Sequence, residues 1–305
     1  MTRRPQRARG WAGCVPALLL LASRCMPVLL ALGGMPAPLA GAESEDGAPP
    51  VALSMQPAER NRLIEVYNRW AAGIQTLRAG GKARVGAEGE KTRAFQFSLL
   101  VARPGNARVQ GRLGSLATLF DLSGSPEEWT LYLPQERTVV RNRDGEGGAG
   151  LLLPPREILA VLLPAGIPPR DLDRGGTASL DSGLARLVVP PGKGGAGSAF
   201  HRVLWLDPRE GTPRRLEVRR ESQLETPMLI AVYERFEGKG ASALPGEITV
   251  EMPETSQWAR FTFETTRVNG DVSPGAFHIQ VPAGTRNIAP EELSPDFLPE
   301  AEEAP

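Results

Sequence analysis

The sequence predicts a mainly β, α+β fold: a strongly curved antiparallel sheet with helices covering its concave, apolar side. Three observations predict it. Short stretches of alternating apolar and polar residues recur from Lys82 to Val281, separated by Gly-, Pro- and Asp-containing turns. Only Ser54–Ala79 and Arg156–Leu163 carry a helical pattern. Trp205–Val218 (WLDPREGTPRRLEV) is a hairpin, with Asp207, Pro208, Gly211 and Pro213 in the turn and Leu216 and Val218 alternating with charged residues after it.

Charge is unevenly spread. The first 42 residues hold five of the 35 basic residues (Arg3, Arg4, Arg7, Arg9 and Arg24) and none of the 35 acidic ones, which leaves the remainder at a net of about −5. A mildly acidic body argues against nucleic acid as a partner, which would need a basic face. Both cysteines, Cys14 and Cys25, lie in the N-terminal stretch, so the body has no disulfide, thiolate nucleophile or cysteine metal site.

Residues 1–42 read as an export signal: an Arg-rich start, apolar Val15–Leu21 and Val28–Leu32, and Ala40-Gly41-Ala42 as a cleavage site before Glu43. A second reading makes Cys25 the lipidated residue of a lipoprotein-type signal, although Arg24 just before it is a poor fit. An uncleaved anchor would carry Arg24 near its middle at a cost of a few kcal/mol. Residues 43–53 form a polar linker.

Within Ser54–Ala79, Pro57 suits a first helical turn and Glu59 sits near the positive helix end. Leu63, Tyr67, Trp70, Ile74 and Leu77 make one apolar stripe, and Gly80-Gly81 reads as the stop. This helix packs on a sheet, or plugs a cavity as well. A short strand over Lys82–Ala87 follows, then Arg93–Ala102, Ala107–Leu113, Leu116–Leu122, Trp129–Leu133 and Arg137–Arg141 as an antiparallel meander. Arg143–Gly150 is a Gly-rich loop. The short helix over Arg156–Leu163 carries Ile158, Leu159 and Leu162, and Pro164 stops it. It reads as a core helix or a lid over an apolar pocket. Thr177–Pro190 reads as a hairpin, and Pro191–Ser198 as a flexible loop without the Walker spacing. After the Trp205 hairpin come strands over Pro227–Phe236, Gly246–Met252 and Trp258–Val268, then a closing strand with Phe277, Ile279 and Val281. Residues 290–305 form an acidic, Pro-rich tail expected to be disordered. The count is roughly ten strands.

Catalytic patterns are missing. His201 and His278 sit in strands without a motif, and HExxH, GxSxG, CxxC and nucleotide fingerprints are absent, so no enzyme activity and no cofactor or metal is expected. What remains is apolar area facing one way: Phe95, Phe97, Leu99, Trp129, Leu131, Leu216, Val218, Met228, Ile230, Val232, Ile248, Val250, Phe261 and Phe263. These residues form a filled core or line a pocket for acyl chains, each buried methylene contributing about 0.8 kcal/mol.

Four segments in order resemble the LolA/LolB-like superfamily of exported lipoprotein carriers. They are LRAGGKARV (Leu77–Val85) after an amphipathic helix, WTLYLPQERTVVRN (Trp129–Asn142), WLDPREGTPRRLEV (Trp205–Val218) and VNGDVSPGAFHIQVPAGT (Val268–Thr285). The resemblance runs from Gln56 to Ile288 within a domain expected over residues 54–289. It implies an open, incomplete β-barrel of about eleven strands, with Leu63, Tyr67, Trp70, Ile74, Ile158, Leu159 and Leu162 on lid or covering helices. It also implies non-enzymatic binding of lipid or lipoprotein acyl chains by a periplasmic or outer-membrane-attached protein. Leu113 or Leu116, flanking Gly114-Ser115, is the candidate for the exposed membrane-touching leucine of receptor-type members. The alternative is an envelope protein-interaction, scaffold or stress-sensing module on the same fold, with a filled core.

Overall fold

Helix α1 (Pro57–Gly73) opens where Pro57 needs no amide partner, and the Glu59 carboxylate accepts from the Gln56 amide at 3.2 Å. The computed structural model describes residues 53–292 except 115–116, 126–127, 144–154, 169–170, 172–175, 192–199 and 239. The export signal with Cys25, nearly all of the linker, most of both Gly-rich loops and the tail beyond 292 lie outside the described residues.

The helix ends earlier than its apolar stripe suggests. Ile74 is already extended, and β2 spans Thr76–Ala87, taking in Leu77 and the Gly80-Gly81 pair expected to stop the helix. The glycines serve the sheet instead. A Cβ on Gly81 would lie 2.0 Å from the carbonyl oxygen of Thr262 on the neighbouring strand, so only glycine allows that approach.

The other strands are β1 (Leu53–Ser54), β3 (Arg93–Ala102), β4 (Asn106–Leu113), β5 (Ala117–Gly124), β6 (Glu128–Leu133), β7 (Thr138–Arg143), β8 (Thr177–Asp181), β9 (Leu184–Val189), β10 (His201–Leu206), β11 (Pro213–Arg219), β12 (Leu229–Glu237), β13 (Leu244–Met252), β14 (Gln257–Val268) and β15 (Arg286–Ile288). Helix α2 spans Pro155–Leu162. All fifteen strands form one strongly curved sheet in the order β1-β8-β9-β10-β11-β12-β13-β14-β2-β3-β4-β5-β6-β7-β15. Two meanders of hairpin-linked neighbours, β2–β7 and β8–β14, are joined by the long β14–β2 ladder. The sheet does not close, because β1 and β15 lie at opposite edges. Both edges are very short strands, which limits edge-to-edge association.

The count exceeds the expected ten or eleven, partly through these edge pieces. The expected closing strand through Phe277, Ile279 and Val281 is replaced by a 3-10 turn (Pro274–Phe277) and irregular chain that leads to β15, which pairs parallel with β7. Arg108 holds this crossing segment: it binds both Asp121 oxygens at 2.9 and 2.6 Å and donates to the Ala276 carbonyl at 2.8 Å.

One face of the sheet supplies the core. Phe95, Phe97, Leu99 and Val101 of β3 alternate with exposed or half-buried neighbours, and so do Trp129 and Leu131. Leu216 and Val218, and Ile248 and Val250, face the core likewise, although their neighbours Glu217 and Glu247 are buried on the other face. Phe97 meets Phe261 and Phe263 edge-on at 5.3 and 5.4 Å. Strand β12 is out of phase with the expectation. Leu229, Ala231 and Tyr233 point into the core, while Ile230 and Val232 are half-buried on the other face. Both residue sets of Leu229–Tyr233 are apolar, so alternation alone does not choose the face. The register does, setting Ala231 opposite Leu216 and Ile230 opposite Glu217 and Glu251.

Candidate functional site

Helix α1 contributes Leu63, Tyr67, Trp70 and Ile74 to the same buried cluster as the sheet. The two aromatic rings lie 5.8 Å apart, and each finds a polar partner at its tip. Trp70 donates its indole N–H to the Ala243 carbonyl at 2.8 Å. The β10–β11 turn docks on the helix: Gly211, at φ +68°, comes so close that a Cβ would sit 2.8 Å from the Tyr67 amide nitrogen. Asp207 shapes this turn by accepting from the amides of Arg209 (2.9 Å) and Glu210 (3.1 Å). Partial burial pushes its carboxyl upward, but those amides and Arg214 outweigh this and hold it below its ordinary value.

The segment through α2 to Pro168 is tied to α1 and the sheet by side chains from distant elements. A helix leaves its last four carbonyls unpaired, and Pro164 has no N–H to offer them. Tyr233 of β12 donates its hydroxyl to the Val161 carbonyl at 2.6 Å. Tyr67 donates to Ala165 at 2.7 Å. Arg103 bridges the Pro164 and Ile74 carbonyls, at 2.8 Å each. Asn68 forms a reciprocal pair with the Ile167 backbone at 2.7 and 2.9 Å. At the other end Glu157, buried in α2, meets Arg202 of β10 at 2.8 Å. Burial raises both tyrosine hydroxyls well above their ordinary range, and desolvation lowers the Arg103 guanidinium.

Beneath this strap lies a cavity of about 50 Å³, lined by Tyr67, Glu157, Val161, Arg202, Leu204 and Leu216 among others. Its size is far below the roughly 300–1,000 Å³ of ordinary ligand sites. On the opposite face is an open polar cleft of about 450 Å³ with Arg108, Gln110, Asp121, Tyr132, His278 and Gln280. Among the described residues no group of three or more His, Cys, Asp or Glu is placed to hold a metal ion.

Phe95, Phe97, Leu99, Trp129, Leu131, Leu216, Val218, Met228, Ile248, Val250 and Phe261 join the core cluster, with Phe263 packed against it. Ile230 and Val232 do not. Leu162 is buried, and the side chains of Ile158 and Leu159 lie outside the described residues. The sequence pattern did not single out Asn68, Arg103, Glu157, Arg202 or Tyr233. The one local signal was Asn68, a polar residue beside the apolar stripe.

No family model and no curated protein matches the sequence. Solved structures do match. A LolA superfamily protein from Nitrosomonas europaea superposes with a TM-score of 0.52 at 12% identity, covering 72% of this chain and 97% of that one. The fold is LolA-like. A DUF1329 family protein from Desulfovibrio piger (TM-score 0.49, 14% identity, 72% and 96% covered) is also similar. So is an outer membrane lipoprotein-sorting protein domain from Vibrio parahaemolyticus (0.48, 12%, 70% and 95%). The LolA-like superposition spans nearly the whole of the Nitrosomonas chain, in keeping with the resemblance read from the four sequence segments.

Proposed function

We infer that this protein binds acyl chains without catalysing a reaction, as a lipid or lipoprotein carrier or receptor of the bacterial cell envelope. Residues 54–289 form the binding domain, and α1 and α2 cover the concave side of the open barrel. The observation that carries this function is the strap. Residues 155–168 overlie the apolar core, bury Val161, Leu162, Leu163 and Ile167 in it, and are held by polar contacts spread from Glu157 to Ile167, so a ligand gains entry by taking the place of those apolar side chains and releasing those ties. An opened strap uncovers Tyr67, Leu204 and Leu216 without disturbing the sheet ladders. The export signal expected over residues 1–42 supports a location in the periplasm or on the outer membrane. Leu113, exposed at the end of β4, or Leu116, which lies outside the described residues, is the candidate for membrane contact.

The test is mass spectrometry of natively purified protein together with titration of a fluorescent fatty acid. Copurifying acyl species and saturable binding support the function; absence of both contradicts it. The intact mass of the mature N-terminus decides between a lipidated Cys25 and a chain beginning at Glu43. The small size of the cavity favours a second reading, an envelope interaction module with a permanently filled core. That module would bind a protein partner with no acyl ligand present.

A further inference from the structure

We propose that Arg202 is the headgroup anchor of the core, and that the ligand it selects is a single acyl chain ending in a carboxylate. This rests on the acyl-chain function above. Arg202 sits on β10 between its cross-strand partners Val189 and Val218, both buried in the core, and Leu204 and Leu206 continue the same face. The Arg202 side chain is 28% exposed, so water solvates part of the guanidinium, and a counter-charge satisfies the part that rises from the apolar strand face. In this structure a carboxylate meets it: Glu157, 1% exposed, is brought to Arg202 by α2, with Nη2 and Oε2 2.8 Å apart. The small cavity lies against both side chains, against Tyr67, Leu204 and Leu216, and against a second carboxylate, Asp171.

The other described strap ties, from Tyr67, Asn68, Arg103 and Tyr233, hold backbone groups. Glu157–Arg202 joins opposite charges. The strap therefore seats its own carboxylate at the polar end of the core. A fatty acid presents the same two oxygens to the same planar fork. Its chain would run along Leu204 and Leu216 into the volume that α2 vacates. Ligand head and Glu157 then compete for one guanidinium, which couples ligand entry to strap release. A neutral head such as an alcohol cannot replace Glu157 and leaves Arg202 without its counter-charge.

The experiment is calorimetric titration of the purified chain with laurate and with dodecanol at pH 8, which share a chain length and differ in the head. Laurate is expected to bind about tenfold or more tighter than dodecanol, the scale of one charge-assisted contact. Arg202→Met should bring that ratio close to one while dodecanol still binds, and Arg202→Lys, which keeps the charge but not the fork, should fall between. Glu157→Gln should widen the ratio by removing the competitor. Equal binding of both ligands to the wild type, or a laurate preference that survives in Arg202→Met, overturns the anchor and leaves acyl binding standing. Failure of both ligands to bind the wild type overturns the acyl-chain function and the anchor with it. The wild-type ratio needs no variant, so misfolding of a variant does not shield the proposal.

Discussion

Replacing Tyr67 and Tyr233 together with Phe removes two buried hydroxyls and keeps both rings. Each hydroxyl now serves one strap carbonyl, Ala165 at 2.7 Å and Val161 at 2.6 Å, and both phenols are fully buried. A buried carbonyl stripped of its donor costs about 1–3 kcal/mol. The two carbonyls lie on one short segment, so their effects couple and do not simply add; a joint loss of about 2–4 kcal/mol is expected. If that loss falls on strap opening, exchange of the strap amides accelerates about thirty- to several-hundredfold. The assay is hydrogen exchange read by mass spectrometry, comparing peptides over 155–168 with peptides over β2 and β3. The expected result is fast exchange in the strap with little change in the ladders. Equal acceleration in both regions would show that the hydroxyls support the whole fold, with no separately opening strap. Unchanged strap exchange would mean that neither hydroxyl holds it.

Gly211→Ala should destabilise by about 2–4 kcal/mol, combining the left-handed backbone penalty with the clash against α1 at 2.8 Å. For a domain of this size that corresponds to a melting temperature lower by about 5–15 °C, read by calorimetry. Arg103→Met leaves the Ile74 and Pro164 carbonyls without their donor and should cost about 2–3 kcal/mol in urea unfolding. Asp207 has a folded pKa below its unfolded value, so its contribution is complete above the unfolded pKa of about 3.9 and is lost as pH falls through the folded value. Asp207→Asn should therefore flatten that part of the acid limb of a stability profile, and Asp207→Ala should cost about 1 kcal/mol near neutrality.

The sheet was legible because most strands are amphipathic and their turns carry Gly, Pro or Asp. Arg93–Ala102 alternates so cleanly that its inward residues could be named. Two features hid from the pattern. Leu229–Tyr233 is apolar at every position, so its face depends on cross-strand register, which alternation does not encode. The Gly80-Gly81 pair looks like a helix stop, and its structural reason, the backbone of Thr262, lies almost two hundred residues away in sequence. The same distance hides the strap. Tyr67 and Ala165 are 98 residues apart, and Arg202 and Glu157 are 45 apart. Arg103 and Arg202 look like any other arginine until the fold sets each beside an unpaired carbonyl or a buried carboxylate.

Titration of a fluorescent fatty acid into the wild-type chain and the Tyr67→Phe, Tyr233→Phe double variant bears most directly on the acyl-chain function. Saturable binding by the wild type, with faster association in the variant because its strap opens more often, is the predicted result. No saturable binding in either protein, with the core still folded, would contradict an acyl-chain binder and leave the filled-core interaction module in its place.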